Sequence, residues 1–428
     1  MNIQDIHNLF LQCKSLSIDT RKIEKDSMFF AIKGENFDAN TFAEEALKLG
    51  ALFVVIDNES YFIDERTILV QNSLETLQEL AKYHRSYLKL PIVALTGSNG
   101  KTTTKELINA VLSKKFKTKA TVGNLNNHIG VPLTLLSFNK ETEIGIVEMG
   151  ANHKKEIEFL CEIAQPDYGY ITNFGKAHLE GFGGVEGVIQ GKSEMYQYLA
   201  KKHKTAFVNL EDSIQIEKSV GIKSFTFGLN KAEADVNIVS IEANPFVVIN
   251  YENFNVESHL IGLYNSNNIN AAVSIGHYFK VADQAIKEAI ENYIPENNRS
   301  QLLKKGSNQI ILDAYNANPS SMAVAITNFL QLDNQNKIMI LGDMFELGAE
   351  SPHEHKIIVD SLSNQDKSVC YLIGKSFFEN KVSNSKLHFF ETFADFSDYL
   401  KTLDFKNNTI LIKGSRGMAL ERTLEYIS

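Results

Sequence analysis

The sequence predicts an α/β protein of three domains: a small N-terminal α/β domain, a central phosphate-loop domain built on a doubly wound parallel sheet, and a C-terminal Rossmann-like α/β domain. Three observations carry this reading. The run Pro91-Ile92-Val93-Ala94-Leu95-Thr96 is short and apolar, breaks into Gly97-Ser98-Asn99-Gly100-Lys101-Thr102-Thr103-Thr104, and enters helical spacing at Leu107, Ile108, Val111 and Leu112. Short apolar runs ending in polar or glycine turns then alternate with helical stretches along most of the chain. Finally, 428 residues exceed one ordinary domain at roughly 150 residues each.

Taken in order, residues 1–88 read as the first domain. Ser27–Ile32 and Leu52–Ile56 are expected strands, with a helix over Thr41–Leu49 between them. The polar clusters Ser17-Ile18-Asp19-Thr20-Arg21 and Lys33-Gly34-Glu35-Asn36-Phe37-Asp38 read as turns. A helix over Glu75–Leu88 and then Pro91 mark the boundary.

Residues 89–297 form the central domain. Ile144–Val147 is a strand ending at Glu148-Met149-Gly150-Ala151; Tyr168–Ile171 is another, ending at Thr172-Asn173-Phe174-Gly175-Lys176-Ala177-His178-Leu179-Glu180. A helix carrying Lys192, Ser193 and Glu194 follows, and an amide-rich loop, Gly123–Pro132, precedes Glu148. In doubly wound sheets ligands collect beyond the carboxyl ends of the strands, which is where these groups fall. Pro295-Glu296-Asn297-Asn298-Arg299 reads as a linker.

Residues 298–428 form the third domain. Its expected strands are Ile310–Leu312, Lys337–Leu341, Cys370–Ile373 and Thr409–Ile412. Their turns match no dinucleotide glycine fingerprint, so no nicotinamide or flavin is expected.

Composition narrows the function. A net charge of −9, from 43 basic and 52 acidic residues, argues against a nucleic-acid groove. Cys13, Cys161 and Cys370 are widely spaced and odd in number, indicating neither a disulfide framework nor a zinc site. The first residues lack a basic and apolar leader, and no run approaches the roughly 20 apolar residues of a membrane span. A cytoplasmic protein is expected.

The chemistry centres on the glycine loop. Its backbone N–H groups and the helix N-terminus suit phosphate oxygens, Lys101 reaches the outer phosphates, and Thr102 offers a hydroxyl to Mg²⁺. Where the general phosphate-loop pattern has an earlier glycine, this chain has Leu95. Glu148, alone at a strand end, suits a metal facing that nucleotide. His178 reads either as a structural histidine or as a second ligand or general base. Lys192 reads either as a surface lysine or as one kept neutral by desolvation, able to take up CO₂ as a metal-binding carbamate.

Thr96–Thr104, Glu148-Met149-Gly150, Asn173–Glu180 and Lys192, in this order, resemble the central domain of the Mur ligases, the ATP-dependent amide-forming enzymes of peptidoglycan precursor synthesis. The resemblance extends over the whole chain through Asn124-Leu125-Asn126-Asn127 to Pro132, Asp313–Ser321, Gly342-Asp343-Met344-Phe345-Glu346-Leu347-Gly348 and Lys413-Gly414-Ser415-Arg416. The Asp-Asn-Pro-Arg run of the family's diaminopimelate-adding member is absent.

The resemblance implies an ATP-dependent ligase joining D-alanyl-D-alanine to UDP-N-acetylmuramoyl-tripeptide through an acyl phosphate, working as a monomer. It assigns the ATP phosphates to Gly97, Ser98, Asn99, Gly100, Lys101, Thr102 and Thr103. One Mg²⁺ falls to Thr102 and Glu148, and a second Mg²⁺ to His178 and a carbamylated Lys192. Lys101, Glu148, His178 and Lys192 are thus the catalytic set. Asn268 is placed near adenine, with Arg299 and Asp313 closing over the nucleotide. Asp19, Thr20, Arg21, Gly34 and Asp38 are implied at the UDP-sugar, in residues 1–88, beside ATP binding in 89–297 and ligation in 298–428. Asn124, Asn126 and Asn127 are implied at substrate, and Asn316, Asn318, Lys413 and Arg416 at the incoming dipeptide. The chain departs from the family pattern at Asp38-Ala39-Asn40, where Asp-Gly-His is usual, at His128, where glutamate is common, and at Tyr264, where histidine is common. A different Mur-type or folylpolyglutamate-synthetase-like ligase, a phosphate-loop kinase or ATPase, and a non-catalytic nucleotide-binding module are the alternatives.

Overall fold

The computed structural model describes residues 1–427 except Asn297 and Gln335. The linker expected over 295–299 therefore contains one position, Asn297, that lies outside the described residues.

The N-terminal sheet holds four parallel strands in the order Leu16–Ser17, Ser27–Phe30, Ala51–Ile56 and Thr67–Leu69. The expected turn at 33–38 is a small antiparallel hairpin, Lys33–Gly34 against Phe37–Asp38. Helix Ser73–Leu88 starts at Asn72, whose side chain accepts the N–H groups of Leu74 and Glu75. That cap satisfies two of the donors a helix start leaves open. The helix buries Leu77, Leu80 and Ala81 against a core shared with the next sheet.

The central sheet has nine strands. Ile92–Thr96 lies between Ile144–Glu148 and Tyr168–Ile171, both parallel to it. The chain leaves this strand to build one side of the sheet and later returns to build the other, so a crevice opens at its carboxyl end. Thr118–Ala120 completes one side; Thr205–Asn209, Lys223–Leu229 and Val236–Ala243 continue the other in parallel. The sheet is not parallel throughout, because Val236–Ala243, Phe246–Tyr251 and Asn255–Ile261 form an antiparallel edge. Tight connections permit hairpins there, whereas parallel pairing needs a long crossover.

The third sheet has six strands in the order Gln301–Lys305, Asn308–Asp313, Thr409–Lys413, Lys337–Gly342, Ser368–Ile373 and Leu387–Phe390. All pair in parallel except the first, which runs antiparallel to Asn308–Asp313. The register pairs Asp313 with Lys413 at adjacent strand ends.

Candidate active site

A cleft of about 740 Å³ opens where the carboxyl ends of the central and C-terminal sheets face each other. Its floor is the phosphate loop. Gly97 and Gly100 hold φ of +141° and +78°, values that an L side chain rarely adopts. A Cβ on Gly100 would also collide with the Asn268 amide. Helix Lys101–Leu112 follows with no side-chain cap, which leaves its first amides to serve an anion.

The loop is fixed from behind. Ser98 Oγ donates to Gly175 O at 2.7 Å, Asn99 N donates to Asn173 Oδ1 at 3.1 Å, and Thr172 Oγ1 donates to Asn99 O at 2.6 Å. Asn318 Nδ2, from the C-terminal sheet's side of the cleft, donates to Asn99 Oδ1 at 2.7 Å. Lys101 Nζ folds back onto Gly97 O at 2.8 Å. Desolvation lowers its pKa, opposed by nearby Glu148 and reinforced by Arg299.

Glu148 ends its strand only 1% exposed. Its Oε1 accepts from Asn126 Nδ2 at 2.8 Å, while its buried Oε2 has no partner. A buried carboxylate oxygen without a donor is costly, so a divalent cation beside Thr102 fits this position. Among the described residues no three His, Cys, Asp or Glu are gathered for a metal.

Lys192 is not a surface lysine. It is 1% exposed, lies 4.9 Å from the Phe182 ring centroid, and donates to Ala151 O at 3.1 Å. Burial, then the like charge of Lys101, push its pKa well below the usual lysine value. It stands behind the cleft wall, where Ala151 lines the cleft. Neighbouring Glu194 is occupied, accepting Lys155 N and Glu158 N at the start of helix Glu156–Ala164.

His178 lines the cleft in a left-handed conformation (φ +52°), with Nδ1 2.5 Å from Glu346 Oε2. That contact lowers the Glu346 pKa. Glu346 belongs to a motif quoted above, yet no role fell to it; only the fold brings it across to His178. Lys176 and the buried Glu354 pair at 2.6 Å across the same boundary.

The opposite wall carries Lys413, whose Nζ lies 2.6 Å from Asp313 Oδ2, and Arg299, stacked 3.6 Å over Tyr315. Asn268 accepts from Thr104 Oγ1 at 3.0 Å. Asn124, Asn126, Asn127, His128, Asn268, Arg299, Asp313, Asn316, Asn318 and Lys413 all line the cleft with Ser98–Thr103, Glu148 and His178. Asn152, Glu156 and Phe159 line it too and carried no signal in the sequence beyond following a strand end.

Other candidates lie elsewhere. Arg416 pairs with Glu421 at 2.8 Å and does not line the cleft. Asp19, Thr20, Arg21, Gly34 and Asp38 sit on the N-terminal domain, also outside the cleft lining. Arg21 forms a two-pronged contact with Asp19, and Asp38 accepts from Asn40 Nδ2 at 2.7 Å. Asn40 is buried, bridging Asp38 to Asp57, so the residue replacing the family's histidine ties two loops together.

Comparison with known proteins identifies the family. Three family models match: "Mur ligase family, catalytic domain" over residues 12–85, "Mur ligase middle domain" over 95–276, and "Mur ligase, glutamate ligase domain" over 298–416. The chain is 34% identical to the UDP-N-acetylmuramoyl-tripeptide–D-alanyl-D-alanine ligase of Bacillus subtilis, covering 96% of this chain and 92% of the relative. A crystal structure of MurF from Acinetobacter baumannii superposes with a TM-score of 0.86 at 30% identity, covering 99% of this chain and 97% of that one. The MurF ligase of Thermotoga maritima in complex with ADP gives 0.84 at 27% identity, covering 97% of each.

Proposed function

The chain belongs to the Mur ligase family, and from that premise we propose that it joins D-alanyl-D-alanine to UDP-N-acetylmuramoyl-tripeptide. ATP drives the reaction, and the products are UDP-N-acetylmuramoyl-pentapeptide, ADP and phosphate. The name of the Bacillus subtilis relative, matched along nearly the full length of both chains, supports the substrates. The observation that carries the chemistry is the cleft: a phosphate loop, a buried carboxylate with a free oxygen and a desolvated amine behind one wall.

The reaction must bring an anionic carboxylate to an anionic phosphate. Lys101 and the uncapped helix start offset that repulsion and hold the γ-phosphate in line. The acceptor carboxylate attacks γ-phosphorus; the new C–O–P linkage forms as the bond to the β-phosphate oxygen breaks, releasing ADP. The free amine of D-alanyl-D-alanine then attacks the acyl carbon, phosphate leaves with the former carboxylate oxygen, and the amine loses a proton. The contacts between Asn99 and Asn318 and between Lys176 and Glu354 tie the two walls together, and further closure on substrate would keep water from the acyl phosphate.

In this reading Gly97–Thr103 hold the ATP phosphates, with Asn268, Arg299 and Asp313 around the nucleoside. Thr102 and Glu148 would hold one Mg²⁺, and His178 with carbamylated Lys192 a second. Bound there, the ions would supply further charge neutralisation. A neutral Lys192 amine is the form that reacts with CO₂, so its desolvation favours the modification. Asn124, Asn126 and Asn127 would orient the acceptor, and Asn316, Asn318, Lys413 and Arg416 the dipeptide. Residues 1–88 form the UDP-sugar domain through Asp19, Thr20, Arg21, Gly34 and Asp38; 89–297 form the ATP domain and 298–428 the ligase domain. The enzyme acts as a monomer in the cytoplasm, where ATP and nucleotide-linked precursors are made.

The test is phosphate release with ATP and UDP-N-acetylmuramoyl-tripeptide, with and without D-alanyl-D-alanine. Sustained release only with the dipeptide, matched by pentapeptide formation, is expected. Release indifferent to the dipeptide would indicate a kinase or ATPase, and no release with both substrates a binding module.

A further inference from the structure

Tyr264 carries a second set of contacts that the reaction scheme leaves unused. It immediately precedes helix Asn265–Tyr278, whose Asn268 reaches the phosphate-loop helix at Thr104. The Tyr264 phenol crosses to the start of the C-terminal domain, where its oxygen lies 2.6 Å from Ser300 Oγ. Ser300 is buried and held at φ +48°, a left-handed conformation that a serine seldom adopts. Its backbone N–H donates to Asp313 Oδ1 at 3.0 Å, and Asp313 Oδ2 receives Lys413 Nζ at 2.6 Å.

The ring's position is itself specified. Gly262 has φ +85°, and a Cβ there would lie 2.6 Å from the Tyr264 ring. Tyr264, Ser300, Asp313 and Lys413 all line the cleft. Burial and the Asp313 charge raise the phenol's pKa, so the hydroxyl keeps its proton.

We propose that Tyr264 is a positioning residue: through Ser300 its hydroxyl fixes the Asp313 carboxylate, to which Lys413 is also bonded, in the arrangement that closes over the nucleotide. This rests on the ligase reading for the role of Asp313, but the link can be tested on nucleotide binding alone. A single hydrogen bond contributes roughly 0.5–1.5 kcal/mol, or about two- to tenfold in affinity.

The experiment measures binding of a non-hydrolysable ATP analogue to wild type, Tyr264→Phe, Ser300→Ala and the double variant, with thermal melting of each. Both single variants are expected to weaken the analogue at least twofold while melting close to wild type. The double variant should be no weaker than the weaker single, because both substitutions delete the same bond. Losses that multiply in the double variant, or single variants that each bind within twofold of wild type, would overturn the proposal. So would weakened binding that tracks a matching fall in melting temperature. Failure of the ligase reading would show instead in the wild type, as absence of dipeptide-dependent phosphate release.

Discussion

The phosphate-loop crevice and the polar face of the N-terminal domain solve opposite problems. In and behind the crevice, charged groups are buried and incompletely paired: Glu148 keeps a free oxygen, and Lys192 donates to a backbone carbonyl beside an aromatic ring. On the N-terminal domain, charged groups satisfy one another at the surface. Arg21, with a side chain 86% exposed, pairs with Asp19, while Asp38 accepts from the neutral, buried Asn40 amide. Buried unpaired charge is costly and marks a place completed by ligand. Exposed pairs cost little and contribute little. The first region is therefore organised before a ligand arrives, and under the proposed function the second would exchange its partners for contacts to the UDP-linked substrate.

The sharpest way to break this comparison is Lys101→Ala. It should lower kcat by about a thousandfold or more, as expected when a group serving the transition state is lost, with thermal stability unchanged or higher because a desolvated ammonium is removed. Loss of stability with activity retained would show the lysine to be structural.

Glu148→Gln keeps shape and removes charge. Turnover should fall about a hundredfold and the Mg²⁺ concentration needed should rise, read in a metal titration. The melting temperature should hold or increase, since the unpaired oxygen carries no compensating bond. A large drop in melting temperature would show that Glu148 serves the fold.

Arg21→Ala sharpens the other half. The exposed pair is worth about 0–1 kcal/mol, so stability should barely move, while KM for the UDP-linked substrate rises roughly fivefold at unchanged kcat. Unchanged KM would remove Arg21 from that site.

The smallest effect concerns the junction of the two regions. His84 sits between His7 Nε2, 3.0 Å from its Nδ1, and Phe138 O, 3.0 Å from its Nε2. Burial, then the neighbouring His84, lower the His7 pKa from 6.5 to about 4. Protonation is thus favoured in the unfolded chain. The stability this pair provides is complete above pH 6.5 and declines as pH falls through about 4. Melting temperature should drop by several degrees over that window, and less in His7→Phe. A flat wild-type profile would contradict the assignment.

Much of the crevice was legible because its signals are local. The strand at Ile92–Thr96, the glycine loop and the helix from Lys101 are contiguous in the chain. What the residues alone left open or missed, with Lys192 supplied by the family resemblance, depends on packing between distant segments. Lys192 lies in a polar run, Gly191-Lys192-Ser193-Glu194, that resembles a solvated helix face. It is buried because the Phe182 ring packs so closely on Gly191 that a Cβ would collide with it, and because Glu194 caps another helix. Strand Gln301–Lys305 was missed for a related reason: as an edge strand it alternates between exposed and half-buried residues and shows no apolar run. The link between Glu346 and His178 spans two domains and leaves no periodic trace.

The central claim is that the cleft lets a carboxylate attack phosphorus, forming an acyl phosphate before the amide. Tripeptide substrate labelled with ¹⁸O in its reacting carboxylate, turned over with ATP and D-alanyl-D-alanine, tests this by mass spectrometry of the released phosphate. Transfer of one labelled oxygen into each phosphate is the predicted result; phosphate free of label would contradict the account.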